Sequence, residues 1–208
     1  MAALVAVLDY GIGNLHSAQK ALQRVGADAR LTADPALVRD ASGVVLPGVG
    51  NFGRCMEALE RAELDELAIE CADSGRPFLG VCIGMQMLYQ GSEESPDVPG
   101  LGVLPGIVRR LPDGVKRPQM QWNLLVRCAE SGLLANLPEP VWAYFVHSFS
   151  AERTDHAVAT CDYGGPVVAA VERDALWATQ FHPEKSSRYG LGILRNFVGR
   201  ATAAAEAA

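Results

Sequence analysis

One segment constrains the fold of this chain more than any other. The apolar run Pro77-Phe78-Leu79-Gly80-Val81 ends on a cysteine with a glycine two residues to either side, in Gly80-Val81-Cys82-Ile83-Gly84-Met85-Gln86. The pattern reads as a buried strand that turns directly into a helix, with Cys82 on the turn. So tight a turn needs strained dihedrals at Cys82. It also needs glycines where neighbouring backbone comes close. Such an elbow lifts the sulfur above the sheet edge. The positive end of the following helix favours thiolate, and the Ile83 N–H points to where an oxyanion would form.

The rest of the first 90 residues fits that frame. Residues 3–8 form an apolar run that meets Asp9-Tyr10-Gly11-Ile12-Gly13-Asn14. Over 14–25, apolar residues recur at helical spacing (Leu15, Ala18, Ala21, Leu22, Val25) and stop at Gly26. Strands are predicted at 27–32, 43–46 and 77–81, and helices at 52–60, 63–73 and 83–90. This alternation argues for an α/β fold around a mostly parallel central sheet flanked by helices. The second half changes to short strand-like segments at 102–111, 122–128, 141–149, 157–161, 166–172 and 175–181. They are separated by turn signals such as Pro112-Asp113-Gly114 and Gly164-Gly165-Pro166. A last amphipathic helix is predicted at 187–200, and the alanine-rich tail 201–208 is expected to fray. No internal repeat or linker-like stretch divides the chain. We expect one domain over 1–200.

Composition narrows the function. The 208 residues are 49% hydrophobic and 20% charged, which is globular. A second catalytic domain such as a TIM barrel needs about 250 residues, so it does not fit in the same chain. A formal charge of −6 gives no general attraction to nucleic acid. No apolar stretch approaches the roughly 20 residues that span a bilayer, and the N-terminal run lacks a basic leader. Five cysteines (Cys55, Cys71, Cys82, Cys128, Cys161) with no CxxC pair argue against a disulfide framework and a zinc site. The expectation is a cytoplasmic protein with free thiols, no metal and no cofactor.

A nucleophilic cysteine needs a base, and the base needs an orienting group. Of the four histidines, His16 lies within the first predicted helix and His156 in a polar turn. His182 ends an apolar strand in Gln180-Phe181-His182-Pro183-Glu184-Lys185-Ser186. Pro183 biases it to an extended conformation, and residues two apart in extended chain face the same side. His182 and Glu184 can then both turn to Cys82, which gives a triad in the order Cys, His, Glu. The Pro47-Gly48-Val49-Gly50 loop follows the third strand, where sites of α/β sheets collect, and its N–H groups can complete an oxyanion hole with Ile83. Gln86, one turn into the elbow helix, can reach a bound substrate.

These residues carry a resemblance. Residues 80–86 with Phe181-His182-Pro183-Glu184-Lys185-Ser186 resemble the class I (triad) glutamine amidotransferases of flavodoxin-like fold. More narrowly, the chain resembles the glutaminase subunits of imidazole glycerol phosphate synthase. The likeness runs from Asp9-Tyr10-Gly11-Ile12-Gly13-Asn14-Leu15 through Pro47-Gly48-Val49-Gly50 and Tyr144-Phe145-Val146-His147-Ser148-Phe149 to the last helix. It implies that Cys82 attacks the glutamine side-chain amide, His182 shuttles the proton and Glu184 orients His182. The Val49 and Ile83 amides would form the oxyanion hole, the former reorienting before the site is active. Gly48, Gln86, Glu94, Ser148 and Phe149 would bind substrate, and His147 would be a pocket-wall residue rather than the base. Asn14, Trp122, Asn123 and Lys185 would meet the partner, a TIM-barrel cyclase that consumes the ammonia in a heterodimer. The family pattern Pro-His-Met-Gly-Trp-Asn reads here Pro118-Gln119-Met120-Gln121-Trp122-Asn123, a departure in a loop expected near the interface. Two rival readings share the fold: the glutaminase of another synthase, such as that for pyridoxal phosphate, and a non-catalytic regulatory module. The first predicts a different partner and the second a broken triad.

Overall fold

The computed structural model describes residues 2–207. Met1, in the N-terminal run, and Ala208, in the tail, lie outside the described residues. The elements follow in the order β1 (Leu4–Leu8), α1 (Leu15–Arg24), β2 (Asp28–Thr32), α2 (Pro35–Asp40), β3 (Gly43–Gly48), α3 (Phe52–Arg61) and α4 (Asp65–Asp73). Next come β4 (Phe78–Cys82), α5 (Ile83–Met87), β5 (Gly91–Ser92), β6 (Ile107–Arg110), β7 (Gln119–Leu124), β8 (Val126–Arg127) and β9 (Trp142–His147). The chain closes with β10 (Phe149–Ala151), β11 (Ala157–Asp162), β12 (Pro166–Arg173), β13 (Leu176–Thr179), a 3-10 turn at Pro183–Lys185 and α6 (Ser187–Ala207).

Eight strands form the central sheet in the order β2-β1-β3-β4-β13-β12-β11-β8. The first five run parallel and the last three continue antiparallel. Strands β3, β4 and β13 are buried at every position, as strands covered on both faces must be. Alternation along β3 shows the two layers. A Cβ on Gly43 would meet Phe197 and Ala201 of α6, whereas one on Gly48 would meet Ile83 and Gly84 of α5. A three-stranded sheet, β10-β6-β5, and a two-stranded ribbon, β7-β9, flank the carboxyl edge of the parallel strands.

The structure refines the predicted elements. The short helix α2 has no counterpart among them. It is capped by Asp34, whose carboxylate accepts from the Ala36 N–H at 2.9 Å. Only 107–110 of the predicted strand 102–111 pairs, and 141–149 divides into β9 and β10. The loop expected near the interface, 118–123, is mostly strand β7. The helix predicted to stop at 200 runs to Ala207 rather than fraying, because alanine is the strongest helix former.

The elbow is held by backbone contact. Cys82 has φ +56°, and register places Gly48 of β3 opposite it. A Cβ on Gly84 would stand 1.9 Å from the Leu46 carbonyl oxygen, which has no room to move within the sheet. The Gly84→Ala substitution should therefore cost about 3 kcal/mol or more, beyond ordinary overpacking. Gly199 offers the contrast, being exposed within α6 with nothing near its Cβ position. Gly199→Ala should stabilise the protein by roughly 0.5–1 kcal/mol. Urea unfolding of both variants checks the pair.

Candidate active site

Cys82, His182 and Glu184 come from two adjacent parallel strands. Cys82 ends β4, and the chain leaving β13 reaches His182 three residues later. His182 is extended, with its N–H donating to the Tyr144 carbonyl at 3.1 Å. Ser186 Oγ donates to the His182 carbonyl at 2.7 Å and accepts from the Tyr144 N–H at 3.0 Å, which ties this segment to β9. Glu184 does not continue the extended strand expected from the spacing. It comes round on the 3-10 turn that Pro183 starts. His182 Nδ1 and Glu184 Oε1 lie 2.8 Å apart, and both side chains are buried.

That burial alone would favour neutral imidazole. The Cys82 sulfur and the Glu184 carboxylate outweigh it and raise the His182 pKa above the ordinary histidine value. A histidine oriented by a carboxylate beside a cysteine is the arrangement by which a base activates a thiol.

A cavity of about 560 Å3 opens over this pair. Its walls include Val49 and Ile83 on either side of Cys82, with Gln86, Glu94, Ser148 and Phe149 beyond them. Asn14, Pro118, Val146 and Lys185 are also among the residues that line it. Glu184 stands behind His182, and Gly48 lies beneath the elbow instead of on the wall. The Val49 carbonyl accepts from the Cys55 thiol at 3.3 Å. The Glu94 carboxylate accepts from the Phe52 N–H at the start of α3, at 2.7 Å. Ser148 and Phe149, expected to bind substrate, have backbone carbonyls that are already engaged. The Ser148 carbonyl takes the Leu111 N–H at 2.9 Å, and the Phe149 carbonyl lies 2.8 Å from His147 Nδ1 and 3.0 Å from Gln86 Nε2.

Gln86 is among the residues that line the cavity, and its Oε1, itself enclosed, has no hydrogen-bond partner among the described residues. Its Nε2 donates to Phe149 and also to Gln180 Oε1 at 3.0 Å. Sequence reasoning assigned Gln180 no role beyond opening the His182 segment. The signal for it was present, because two residues before His182 in extended chain means the same face.

Gln119, where the resembling family has histidine, is fully buried in β7. His147 Nε2 lies 2.9 Å from its side-chain amide. Gln121 is exposed. Asn123 turns away from the exposed face of the ribbon and donates to the Asp162 carbonyl at 2.9 Å. Trp122 lies on that exposed face, beside Met120 and Leu124.

The residues matched by the family model for glutamine amidotransferase class-I are 6–201. The chain belongs to the class-I glutamine amidotransferases. Within that class its relatives are specific. It is 48% identical over 196 residues to the imidazole glycerol phosphate synthase subunit HisH of Methanothermobacter thermautotrophicus, covering 94% of this chain and 98% of that one. It is 47% identical to the subunit of the same name from Symbiobacterium thermophilum, covering 94% and 93%. Among solved structures, a glutamine amidotransferase from Thermotoga maritima shares the fold, with a TM-score of 0.69 at 15% identity over 97% of this chain and 98% of that one.

His147 is held neutral by its surroundings. Burial pushes its pKa down to about 4, the Phe149 carbonyl opposes this, and the charge on His182 adds to it. The unfolded chain therefore binds a proton between about 6.5 and about 4 that the folded chain refuses. The stability from a neutral His147 is present above about 6.5 and falls away towards pH 4, by up to about 3 kcal/mol. Urea unfolding from pH 4 to 7 should show a shallower acid loss in His147→Gln than in the parent protein.

Proposed function

We propose that this chain hydrolyses glutamine to glutamate and ammonia, and delivers the ammonia to a separate cyclase subunit of imidazole glycerol phosphate synthase in histidine biosynthesis. The observation that carries the reading is Cys82 on its elbow, in one cavity with a His182 that Glu184 holds at 2.8 Å. The thiolate of Cys82 attacks the side-chain carbonyl carbon of glutamine. The Val49 and Ile83 amides receive the oxyanion, and His182 gives its proton to the departing ammonia. Water then attacks the γ-glutamyl thioester, with His182 as base, and releases glutamate. With a small shift of the enclosed Gln86 side chain, its unpartnered Oε1 accepts from the substrate's α-ammonium, and the Glu94 carboxylate adds charge complementarity at that end.

The partner reading rests on the ribbon beside the cavity. Register places Met120 opposite Val146, Trp122 opposite Tyr144 and Leu124 opposite Trp142, all on one face. Met120 is 62% exposed, Trp122 45% and Trp142 41%. A contiguous apolar patch of this kind marks an interaction surface. Val146 and the neighbouring Pro118 also line the cavity, so a partner seated on the ribbon meets the mouth of the site, where Asn14 and Lys185 stand. A TIM-barrel cyclase seated there takes ammonia before it is protonated in water and lost as a nucleophile. Its products would be imidazole glycerol phosphate and an aminoimidazole carboxamide ribotide. A cytoplasmic location fits the free thiols, and no helix among the described residues is long and apolar enough to cross a membrane.

The decisive assay measures glutamate release by the purified chain alone, with cyclase, and with cyclase plus its nucleotide ligand. Activity should be slow alone and rise at least about a hundredfold in the ligand-bound complex. No rise with any cyclase would remove the synthase assignment. Cys82→Ala should abolish ammonia release and still form the complex on a sizing column. Glu184→Gln should lower kcat about a hundredfold. That carboxylate helps hold the proton on His182, so its loss lowers the His182 pKa. The imidazolium is then lost at lower pH, and the alkaline limb of kcat/KM should move down, which a pH–rate profile measures.

A further inference from the structure

We propose that Gln180 is a positioning residue, whose side-chain amide couples the substrate-binding Gln86 to the nucleophile Cys82. The proposal rests on the glutaminase reading above. Gln180 is fully buried, two residues before His182, and its own backbone N–H is committed to the Ala169 carbonyl at 2.9 Å. Its side-chain Oε1 accepts from Gln86 Nε2 at 3.0 Å, and its Nε2 lies 3.8 Å from Cys82 Sγ.

The directions of these bonds are dictated. The Phe149 carbonyl only accepts, so Gln86 must turn its –NH2 towards it. The second hydrogen of that group goes to Gln180, which fixes the Gln180 oxygen on this side and leaves its –NH2 facing the sulfur. Both Gln86 donors are then spent inside the protein, and the Oε1 of its amide is left without a partner among the described residues, enclosed beside the cavity that Gln86 lines. Without Gln180, Gln86 loses one of the two acceptors that hold its amide in this sense. A flipped amide would present N–H groups to a substrate ammonium, which is repulsive. The same residue donates to the sulfur, and hydrogen bonds to the charged form of a nucleophile steady its orientation and charge. The groups of Tyr10 and Cys55 interact electrostatically with Cys82 as well, as does His182, but the hydrogen bonds of the Gln86 side chain go to Phe149 and Gln180.

The test is a mutant cycle on Gln86 and Gln180, read in the assembled complex with cyclase. Gln86→Met should raise the KM for glutamine about tenfold and leave kcat within about threefold. Gln180→Met should raise KM to a similar degree and also lower kcat about tenfold, because it loses both bonds. The double variant should have a KM no higher than either single one, since each removes the same oriented acceptor. Gln180→Asn keeps a buried amide but draws it back by one methylene. It should shift KM and kcat in the same directions, and it serves if the methionine variant fails to fold. Calorimetric titration of glutamine into Cys82→Ala complexes gives binding without turnover. Adding Gln180→Met there should weaken binding about tenfold. Parental KM and parental glutamine affinity in a folded Gln180 variant, or KM effects that multiply in the double variant, would overturn the proposal alone. A Cys82→Ala complex that binds no glutamine would overturn the glutaminase reading and the proposal with it.

Discussion

The site depends on one contact between backbones, that of Gly84 against the carbonyl of Leu46 near the end of β3. It allows α5 to begin directly over the sheet edge, and Cys82 is thereby bent to φ +56°. A non-glycine residue in that region costs on the order of 1–3 kcal/mol. The flanking residues offset this easily. Phe78, Leu79, Met85 and Met87 are fully buried, and each contributes roughly 1.5–3 kcal/mol by leaving water. The strain persists because it sits between two well-packed elements. Its result is a cysteine whose position is set by main-chain packing, not by rotamer choice.

From that contact the remaining parts follow by strand order. β3, β4 and β13 are consecutive neighbours, and their carboxyl ends supply Val49, Cys82 and His182 in turn. The antiparallel extension then returns the chain to the cavity by another route. β9 carries Tyr144, whose carbonyl and N–H hold the His182 segment, and His147, which backs the Phe149 carbonyl. The backbone of β9 thus braces His182, while one face of the strand belongs to the exposed apolar ribbon. The β-rich second half is a brace for a site made by the first half and β13.

How much of this the sequence disclosed depended on whether a feature was local. The elbow was legible because strand, cysteine and glycines are contiguous, and the parallel half was legible from its alternating periods. His182 and Glu184 were legible as a pair from spacing, although the extended geometry inferred for Glu184 proved to be a turn. The ribbon was less so. Gln119 looked like a loop residue, yet it is a buried partner of His147 across a strand pair, 28 residues away. Pairings of that kind are set by register, which a single chain does not display. Gln180 shows the opposite failure. Its alternation with His182 was visible, but its partners Gln86 and Cys82 are 94 and 98 residues distant.

The buried amides also account for why the pocket wall is polar and still ordered. Gln86, Gln119, Gln180 and His147 would each be costly in an apolar interior without partners. Joined end to end through Phe149, they form a continuous strip in which almost every donor and acceptor is answered. An amide suits such a strip because it offers a donor and an acceptor at once. The Phe149 carbonyl only accepts, so a neutral His147 carries its proton on Nδ1, and the Gln119 amide can turn its –NH2 to the remaining lone pair on Nε2. The one unanswered atom in this strip among the described residues, Gln86 Oε1, is enclosed beside the cavity, and a cationic group bound there completes it once the side chain shifts. On the glutaminase reading that group is the substrate's ammonium. The open acceptor in the hydrogen-bonding pattern is then what selects an amino acid over a simple amide.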